Sequence, residues 1–320
     1  MEGATRGIHH VTAIAGDPQR TLDFYTGALG LRLVKLTVNY DDPRTYHLYF
    51  GDGEGRPGTI FTFFPWPGAP RGRGGTGQAT AVSFSVPERS LGFWTERLRS
   101  LGIPFGGAAT RFEDQAVTFS DPDGLALELV EHGGRMPDGP EVHGPVPAGH
   151  AIRGFHGVTL SVEGYERTAG LLTETLGFRL TEEKGNRFRF GTRDGDFGGI
   201  VDVLCLPSAP RGKVAAGTVH HVAFRTPGPQ EQAAWRNRLS DAGLDVTPAI
   251  DRTYFRSIYF REPGGVLFEI ATDPPGFSVD EPANRLGSRL VLPAWLEPER
   301  ARLEEILPPV RIPEPWRKTG

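Results

Sequence analysis

The sequence contains a single cysteine, Cys205, in 320 residues. An intramolecular disulfide is therefore excluded, and so is any metal site built from several cysteine ligands. An excess of charge of one sign is also missing, because 35 basic residues nearly balance 39 acidic ones and leave a net charge of −4. No overall field therefore attracts nucleic acid or a membrane surface.

Long hydrophobic runs are absent as well. No stretch approaches the ~18 apolar residues that a membrane-spanning helix needs. The residues that follow Met1, from Glu2 to Arg6, lead into no apolar run, so no signal peptide is predicted. The hydrophobic fraction of 38% is ordinary for a globular protein. We therefore expect a soluble, cytoplasmic protein.

Turn-forming residues are abundant. The 43 glycines and 28 prolines make up about 22% of the chain, against a usual sum near 12%. They are spread along the sequence, which favours many short strands over a collagen-like or disordered tract. The length suggests about two domains at roughly 150 residues each.

Internal repeats show how the chain is organised. Residues 117–130 match residues 258–271 at an offset of 141. Residues 9–12 and 29–33 match 156–159 and 176–180 at an offset of 147. The matched pairs at the first offset include Phe119 with Phe260, Pro122 with Pro263, Gly124 with Gly265 and Glu128 with Glu269. The chain is therefore a duplicated pair, or four modules in all.

Each module has the same predicted plan, a strand, an amphipathic helix and three short strands. The modules span about 8–65, 78–131, 152–207 and 218–273. Periodicity and turn signals predict helices over 18–29 and 230–242. We divide the chain into modules one and two (1–131), a linker (132–151), modules three and four (152–273) and a C-terminal tail (274–320) with one helix over 297–306.

Several local strings carry a family resemblance. They are Gly7 to Thr12, Tyr46 to Phe50, Arg153 to His156, Val219 to Val222, and Asp251-Arg252 through Tyr259 to Glu269. Together with the four βαβββ modules, they resemble the vicinal oxygen chelate (glyoxalase/bleomycin resistance/extradiol dioxygenase) superfamily. Within it they look like the hydroquinone-type ring-cleaving dioxygenases. The resemblance implies an α+β fold with two cupped mixed β-sheets and helices outside.

The same resemblance implies that two modules pair into a cup, with one residue of each first and last strand aimed at its centre. By the repeat alignment these are His10 and Thr62, Ala81 and Glu128, Gly157 and Val203, and His221 and Glu269 for modules one to four. Pairing one with two, or three with four, gives only one histidine. Pairing one with four collects His10, His221 and Glu269, the set that the resemblance also implies.

Two histidines and one carboxylate on one face leave about three coordination positions open. This arrangement suits non-haem Fe(II) chemistry, since a metal can then hold a substrate chelate and O2 in one small volume. Mn(II) and Co(II) remain alternatives, because ligand type alone does not decide among these metals.

His9, Thr12 and His220 are candidate catalytic residues near this metal. Adjacent residues of a strand point to opposite faces, so His9 and His220 can equally support the sheet from behind. The resemblance implies that both line the pocket, with a twist or bulge redirecting them. A neutral histidine there could accept a substrate proton. Thr12 shares the face of His10 and could bind a substrate oxygen or simply be an inward threonine.

Tyr259 and Arg252 complete the candidate catalytic set. Tyr259 stands where module two has Thr118, so the repeat itself does not require an aromatic. Its phenol could donate to a reacting oxygen, and Arg252 could stabilise an anion. Arg111 keeps the position of Arg252 in module two, which favours a partly structural role. Glu128 is the repeat equivalent of Glu269, and His156 is the repeat equivalent of His9. We assign structural roles to both of them, and to His47.

The resulting hypothesis is an Fe(II)-dependent ring-cleaving dioxygenase acting on hydroquinone, substituted hydroquinone or catechol with O2. Its partners would be a small aromatic substrate and O2, without nucleic acid or membrane; whether it is a homo-oligomer stays open. A glyoxalase-type isomerase would need a second carboxylate in the cup. A protein that sequesters a small molecule in the cup would need no metal triad.

Overall fold

The computed structural model describes residues 4–133, 144–192 and 198–312. Half of the expected linker (134–143) and the last eight residues of the tail therefore lie outside the described residues. Across the described ranges, no helix is both long and apolar enough to span a membrane.

Module one shows how the sequence sets each element. The Asp17 carboxylate accepts the backbone N–H of Arg20 at 2.7 Å and Pro18 opens the helix, a favourable helix start. Gly30 follows the helix with φ +72°, a conformation that favours glycine. The elements are β1 (Ile8–Ala15), α1 (Pro18–Leu22) with a π-helical continuation (Asp23–Ala28), β2 (Arg32–Asn39), β3 (Asp42–Gly51) and β4 (Ile60–Pro65).

The other three modules repeat this order. Module two contains β5 (Gln78–Val86), α2 (Leu91–Ser100), β6 (Ala109–Arg111), β7 (Asp114–Ser120) and β8 (Ala126–Glu131). Module three contains β9 (Gly154–Val162), α3 (Glu166–Gly170) with a π-helical continuation (Leu171–Thr175), β10 (Arg179–Lys184), β11 (Arg187–Gly191) and β12 (Ile200–Cys205). Module four contains β13 (Thr218–Thr226), α4 (Pro229–Asp241), β14 (Ile250–Asp251), β15 (Arg256–Arg261) and β16 (Leu267–Thr272).

Two curled, mixed, eight-stranded sheets are built from these modules. The first has the order β14-β15-β16-β13-β1-β4-β3-β2 and so joins module four to module one. The second has the order β10-β11-β12-β9-β5-β8-β7-β6 and joins module three to module two. In each sheet the opening strands of the two modules pair antiparallel. The expected α+β fold with two cupped sheets is confirmed.

The helices pack on the convex faces, where one hydrophobic core runs across both sheets. Along β1, Val11 and Ala13 belong to this core together with Leu22 of α1. Phe61 of the first sheet lies 5.6 Å from Phe84 of the second, between ring centroids. The alternate side chains of β1, including His10 and Thr12, therefore face the concave side.

The tail packs against module one. It contains short 3-10 turns at Phe277–Val279, Ala283–Arg285 and Glu297–Glu299, and α5 (Arg300–Ile306). Lys35 of β2 is fully buried and forms ion pairs with Asp280 and Glu281 of the tail. Tyr254 donates a hydrogen bond to Asp280 at 3.0 Å. The tail thus links β2 to the loop before β15.

Candidate metal centre

Three side chains converge on the concave side of the first sheet. His10 lies on β1, His221 on β13 and Glu269 on β16, the strands that the sheet order places side by side. Glu269 Oε2 lies 3.3 Å from His10 Nε2 and 3.0 Å from His221 Nε2, and the two nitrogens are 3.3 Å apart. Among the described residues, this is the one group of three His, Cys, Asp or Glu side chains close enough to hold a metal ion.

This triangle fits a metal ion. Ligand atoms about 2.1 Å from a metal and at right angles to each other lie roughly 3.0 Å apart. Glu269 Oε2 is fully buried, and although both imidazole nitrogens lie within 3.3 Å, neither forms a hydrogen bond of good geometry with it, a costly arrangement unless a cation satisfies the oxygen. The other carboxylate oxygen, Oε1, accepts a hydrogen bond from Ser257 at 2.5 Å, which orients the group.

A β-bulge precedes each histidine ligand. The pairing of β1 with β13 skips one residue in each strand, so that His9 and His220 are the extra residues. A bulge interrupts the alternation of side chains. As a result, His9 Nδ1 lies 2.9 Å from His10 Nδ1, and His220 Nδ1 lies 2.8 Å from His221 Nδ1. Each ligand therefore has a second imidazole at the nitrogen that does not face the metal position.

The two supporting histidines differ in location. His220 lines the cavity described below, whereas His9 is not among the lining residues and is 1% exposed, packed against the ring of Phe255 at 5.1 Å. The structure therefore places His9 behind His10. Burial and the neighbouring His10 lower the pKa of His9 well below its usual value. Burial and His221 lower the pKa of His220 to about 3.

Two of the three candidate ligands, His10 and His221, line a cavity of about 370 Å³, a size suited to a small molecule. Its remaining wall residues come from modules one and four. They are Thr12, Asn39, Tyr40, Asp41, His47, Tyr49, Phe64, Trp66, His220, Thr247, Arg252, Phe255, Tyr259 and Leu267. Aromatic rings interspersed with polar groups suit a small aromatic ligand that carries polar substituents.

Tyr259 and Arg252 form one unit of the cavity wall. Tyr259 is paired in register with Glu269, and its hydroxyl accepts a hydrogen bond from Arg252 Nε at 3.3 Å. Arg252 also forms an ion pair with Asp41 at 3.1 Å. Burial and the Glu269 carboxylate raise the pKa of Tyr259. The protonated phenol therefore keeps its hydrogen available for an acceptor in the cavity.

The sequence missed several members of the site. Ser257 was not singled out, although it orients Glu269. His47 was assigned a structural role, yet it lines the cavity together with Tyr49. The only sequence signal for His47 and Tyr49 was the family-like string from Tyr46 to Phe50. No sequence pattern pointed to the residues at the rim of the cavity, such as Asn39 and Tyr40.

The equivalent position of the second sheet is closed by ion pairs. The Glu128 carboxylate pairs with Arg111 and accepts a hydrogen bond from Ser83 at 2.7 Å. His156 lies 3.1 Å from Asp114, which also pairs with Arg189. The space enclosed there is only about 10 Å³. The structural roles expected for Glu128 and His156 agree with this packing.

Comparisons with known proteins follow the same division of the chain. The model of the Glyoxalase/Bleomycin resistance protein/Dioxygenase superfamily matches residues 7–129 and 154–270. MhqO of Bacillus subtilis, provisionally named a ring-cleaving dioxygenase, is 46% identical over 98% of this chain and 99% of its own. A chlorohydroquinone/hydroquinone 1,2-dioxygenase of Sphingobium indicum is 35% identical over 91% of this chain and 92% of its own.

Solved structures give the same fold. A crystal structure from Bacillus subtilis, provisionally named a dioxygenase, superposes with a TM-score of 0.93 at 46% identity and covers 98% of this chain and 99% of its own. Glyoxalase I from Zea mays superposes with a TM-score of 0.63 at 17% identity and covers 83% of this chain and 92% of its own. The second likeness concerns the fold alone.

Proposed function

The chain belongs to the glyoxalase/bleomycin resistance protein/dioxygenase superfamily and to the ring-cleaving dioxygenases within it. From this premise we propose that it is an Fe(II)-dependent enzyme. It would use O2 to open the ring of a hydroquinone, a substituted hydroquinone or a catechol. The observation that carries the proposal is the buried Oε2 of Glu269, which faces the two imidazole nitrogens of His10 and His221 without a hydrogen bond of good geometry to either.

His10, His221 and Glu269 would hold the metal. A bound Fe(II) supplies open positions at which a substrate oxygen and O2 come together and exchange electron density. Mn(II) is the alternative occupant, since both metals accept this ligand set. The substrate class is supported by the Sphingobium relative, whose name specifies chlorohydroquinone and hydroquinone.

Hydrogen-bond donors surround the position that the substrate would take. If each ligand histidine binds the metal through Nε2, its Nδ1 carries a hydrogen and donates to the supporting imidazole. His220 must then carry its own hydrogen on Nε2 and offers a donor to the cavity. It is therefore a donor in this arrangement, and not the proton acceptor that the sequence suggested. The Tyr259 hydroxyl and Arg252 add further donors, which together favour an anionic oxygen.

The two rival functions fit the cavity less well. A glyoxalase-type isomerase requires a carboxylate near the metal that can act as a base. Among the described residues that line the cavity, Asp41 is the one carboxylate, and it is exposed and paired with Arg252. A sequestering protein would not require the Glu269 oxygen to be left without a partner.

Oxygen uptake with parallel metal analysis tests the proposal. Protein loaded anaerobically with Fe(II) should consume about one O2 for each hydroquinone and abolish the aromatic absorbance. Glu269→Gln should lose both iron and uptake, whereas Glu128→Gln, its equivalent in the second sheet, should keep them. Isomerisation without oxygen uptake would instead identify a glyoxalase-type enzyme. Tight binding of hydroquinone without turnover would identify a sequestering protein.

A further inference from the structure

A line of hydrogen bonds runs along the module one wall of the cavity. Thr12 Oγ1 lies 2.8 Å from Thr62 Oγ1. Thr62 Oγ1 lies 2.9 Å from His47 Nε2, and His47 Nδ1 lies 2.8 Å from the Tyr49 hydroxyl. Thr12, His47 and Tyr49 line the cavity, and the fully buried Thr62 connects them. The Thr12 end adjoins the ligands, since Thr12 is paired in register with His221.

The imidazole of His47 is held in place and neutral. Its ring lies between those of Tyr49 and Phe64, with centroid distances of 3.9 and 4.4 Å. Burial, followed by the nearby histidines 10 and 221, lowers the pKa of His47 well below its usual value. A neutral imidazole has one donor nitrogen and one acceptor nitrogen, so the line of hydrogen bonds has a direction.

The Tyr49 hydroxyl decides that direction. Tyr49 is 3% exposed, and within the described part of the chain its hydroxyl has no hydrogen-bond partner other than His47 Nδ1. If Nδ1 carried the hydrogen, the phenol hydrogen would have no acceptor among the described residues, which is costly for so buried a hydroxyl. Tyr49 therefore donates to Nδ1, His47 donates from Nε2 to Thr62, and Thr62 donates to Thr12. No acceptor for the Thr12 hydroxyl hydrogen is then found among the described residues, so its acceptor must lie in the cavity.

We propose that Tyr49, His47 and Thr62 are positioning residues that fix the hydroxyl of Thr12 as a hydrogen-bond donor to a substrate oxygen beside the metal. The proposal rests on the proposed function for the nature of that oxygen. It adds a donor on the module one wall, opposite the Tyr259 and Arg252 side chains of module four. A phenolate oxygen of the substrate, which accepts hydrogen bonds, is favoured at this position over a group that can only donate.

A double-mutant cycle separates this role from simple packing. Tyr49→Phe keeps the ring and removes the hydroxyl that sets the direction, so the His47 imidazole can adopt the other tautomer. The value of kcat/KM on hydroquinone should fall about three- to tenfold, as for one lost hydrogen bond. In a Thr12→Val background, the same change should alter kcat/KM by less than about twofold. Equal effects in both backgrounds would overturn the proposal.

Two further variants serve as controls. Tyr46→Phe removes a hydroxyl from the same strand, where it donates to the Pro308 carbonyl at 3.0 Å, and should leave kcat/KM unchanged. Thr62→Val breaks the line with little change of volume and should match the loss in Tyr49→Phe. Thr62→Ser keeps the hydroxyl and should restore kcat/KM to the value of the unaltered protein. If kcat/KM stays low in a folded, metal-loaded Thr62→Ser protein, the proposal is contradicted.

The tautomer of His47 gives a readout that does not depend on turnover. In protein carrying diamagnetic Zn(II), the ¹⁵N shifts of this imidazole should show a hydrogen on Nε2 and none on Nδ1. Tyr49→Phe should remove that preference. A hydrogen on Nδ1 in the unaltered protein would overturn the proposal whether or not hydroquinone is the substrate. If the tautomer is as expected but no oxygen is consumed, the proposed function fails and the directed Thr12 donor remains.

Discussion

Glu269 and Glu128 occupy equivalent positions of the two sheets, 141 residues apart, but only the carboxylate of Glu269 faces imidazole nitrogens. Glu128 faces a guanidinium and a serine hydroxyl instead. The same local sequence motif therefore contributes to the candidate metal centre in one sheet and to a closed ion pair in the other. The pair of residues provides a matched test of the metal assignment.

Glu269→Gln should weaken metal binding more than about 100-fold, since even the loss of an outer partner of a ligand typically costs ten- to a hundredfold. The amide keeps the volume but removes the negative charge that the metal requires. Equilibrium dialysis with Fe(II) or Mn(II) measures the effect. Glu128→Gln should bind metal like the unaltered protein, and a loss there would move the site to the second sheet.

His9→Phe should weaken metal binding by about ten- to a hundredfold. The phenyl ring preserves the packing behind His10 but removes the acceptor for the Nδ1 hydrogen of that ligand. The same dialysis experiment gives the result. His156→Phe changes the equivalent bulge residue of the second sheet and should leave metal affinity unaltered; if both variants lost metal equally, the effect would be one of folding.

Tyr259→Phe should lower turnover on hydroquinone by roughly ten- to a thousandfold, in line with the loss of one stabilising donor. No ligand is touched, so the iron content should stay constant. Steady-state oxygen uptake with iron quantified in the same sample tests this. Unchanged turnover would reduce Tyr259 to an aromatic wall of the cavity.

Lys35→Met should destabilise the protein by about 3–5 kcal/mol, because it leaves the carboxylates of Asp280 and Glu281 without their buried partner. Denaturant unfolding measures the change. Lys184→Met alters an exposed lysine and should change stability by less than about 0.5 kcal/mol. If Lys35→Met changed stability as little as Lys184→Met, the ion pair of Lys35 with the tail would contribute nothing to the stability of the protein.

A fragment that ends near residue 150 should aggregate or fail to bind metal. It lacks two of the three ligands, and β1 and β5 lose their partners β13 and β9 in the middle of each sheet. Exposed strand edges of this kind promote association. Light scattering and metal analysis of the purified fragment decide the matter. A stable, monomeric fragment that binds metal tightly would contradict the sheet order.

The repeat made much of this architecture predictable. The helix predicted over 230–242 is α4 (Pro229–Asp241), and the helix predicted over 297–306 is a 3-10 turn followed by α5 (Arg300–Ile306). The three convergent residues could be chosen because the family resemblance implied that one residue of each first and last strand faces the cup, and the repeat alignment named those residues. Repetition supplied, in effect, several aligned sequences within one chain.

The surroundings of the ligands were less accessible to sequence reasoning. Side chains alternate between the two faces of a strand, which would place His9 and His220 on the face opposite His10 and His221. The extra residue of the bulge in each strand interrupts this alternation. No pattern within the chain announces these bulges. His47 and Thr62 lie on different strands and act together only because β3 and β4 pair, so their connection depends on register that the sequence does not state.

The order of the strands has a consequence for synthesis. His10 and His221 are separated by 211 residues, which a ribosome adds in roughly 10–40 s at about 5–20 residues per second. During that interval β1 has left the exit tunnel while the strand that completes its sheet has not yet been made. The nascent first module therefore carries an open edge at β1 until β13 is made, and the three candidate ligands can come together only near the end of translation.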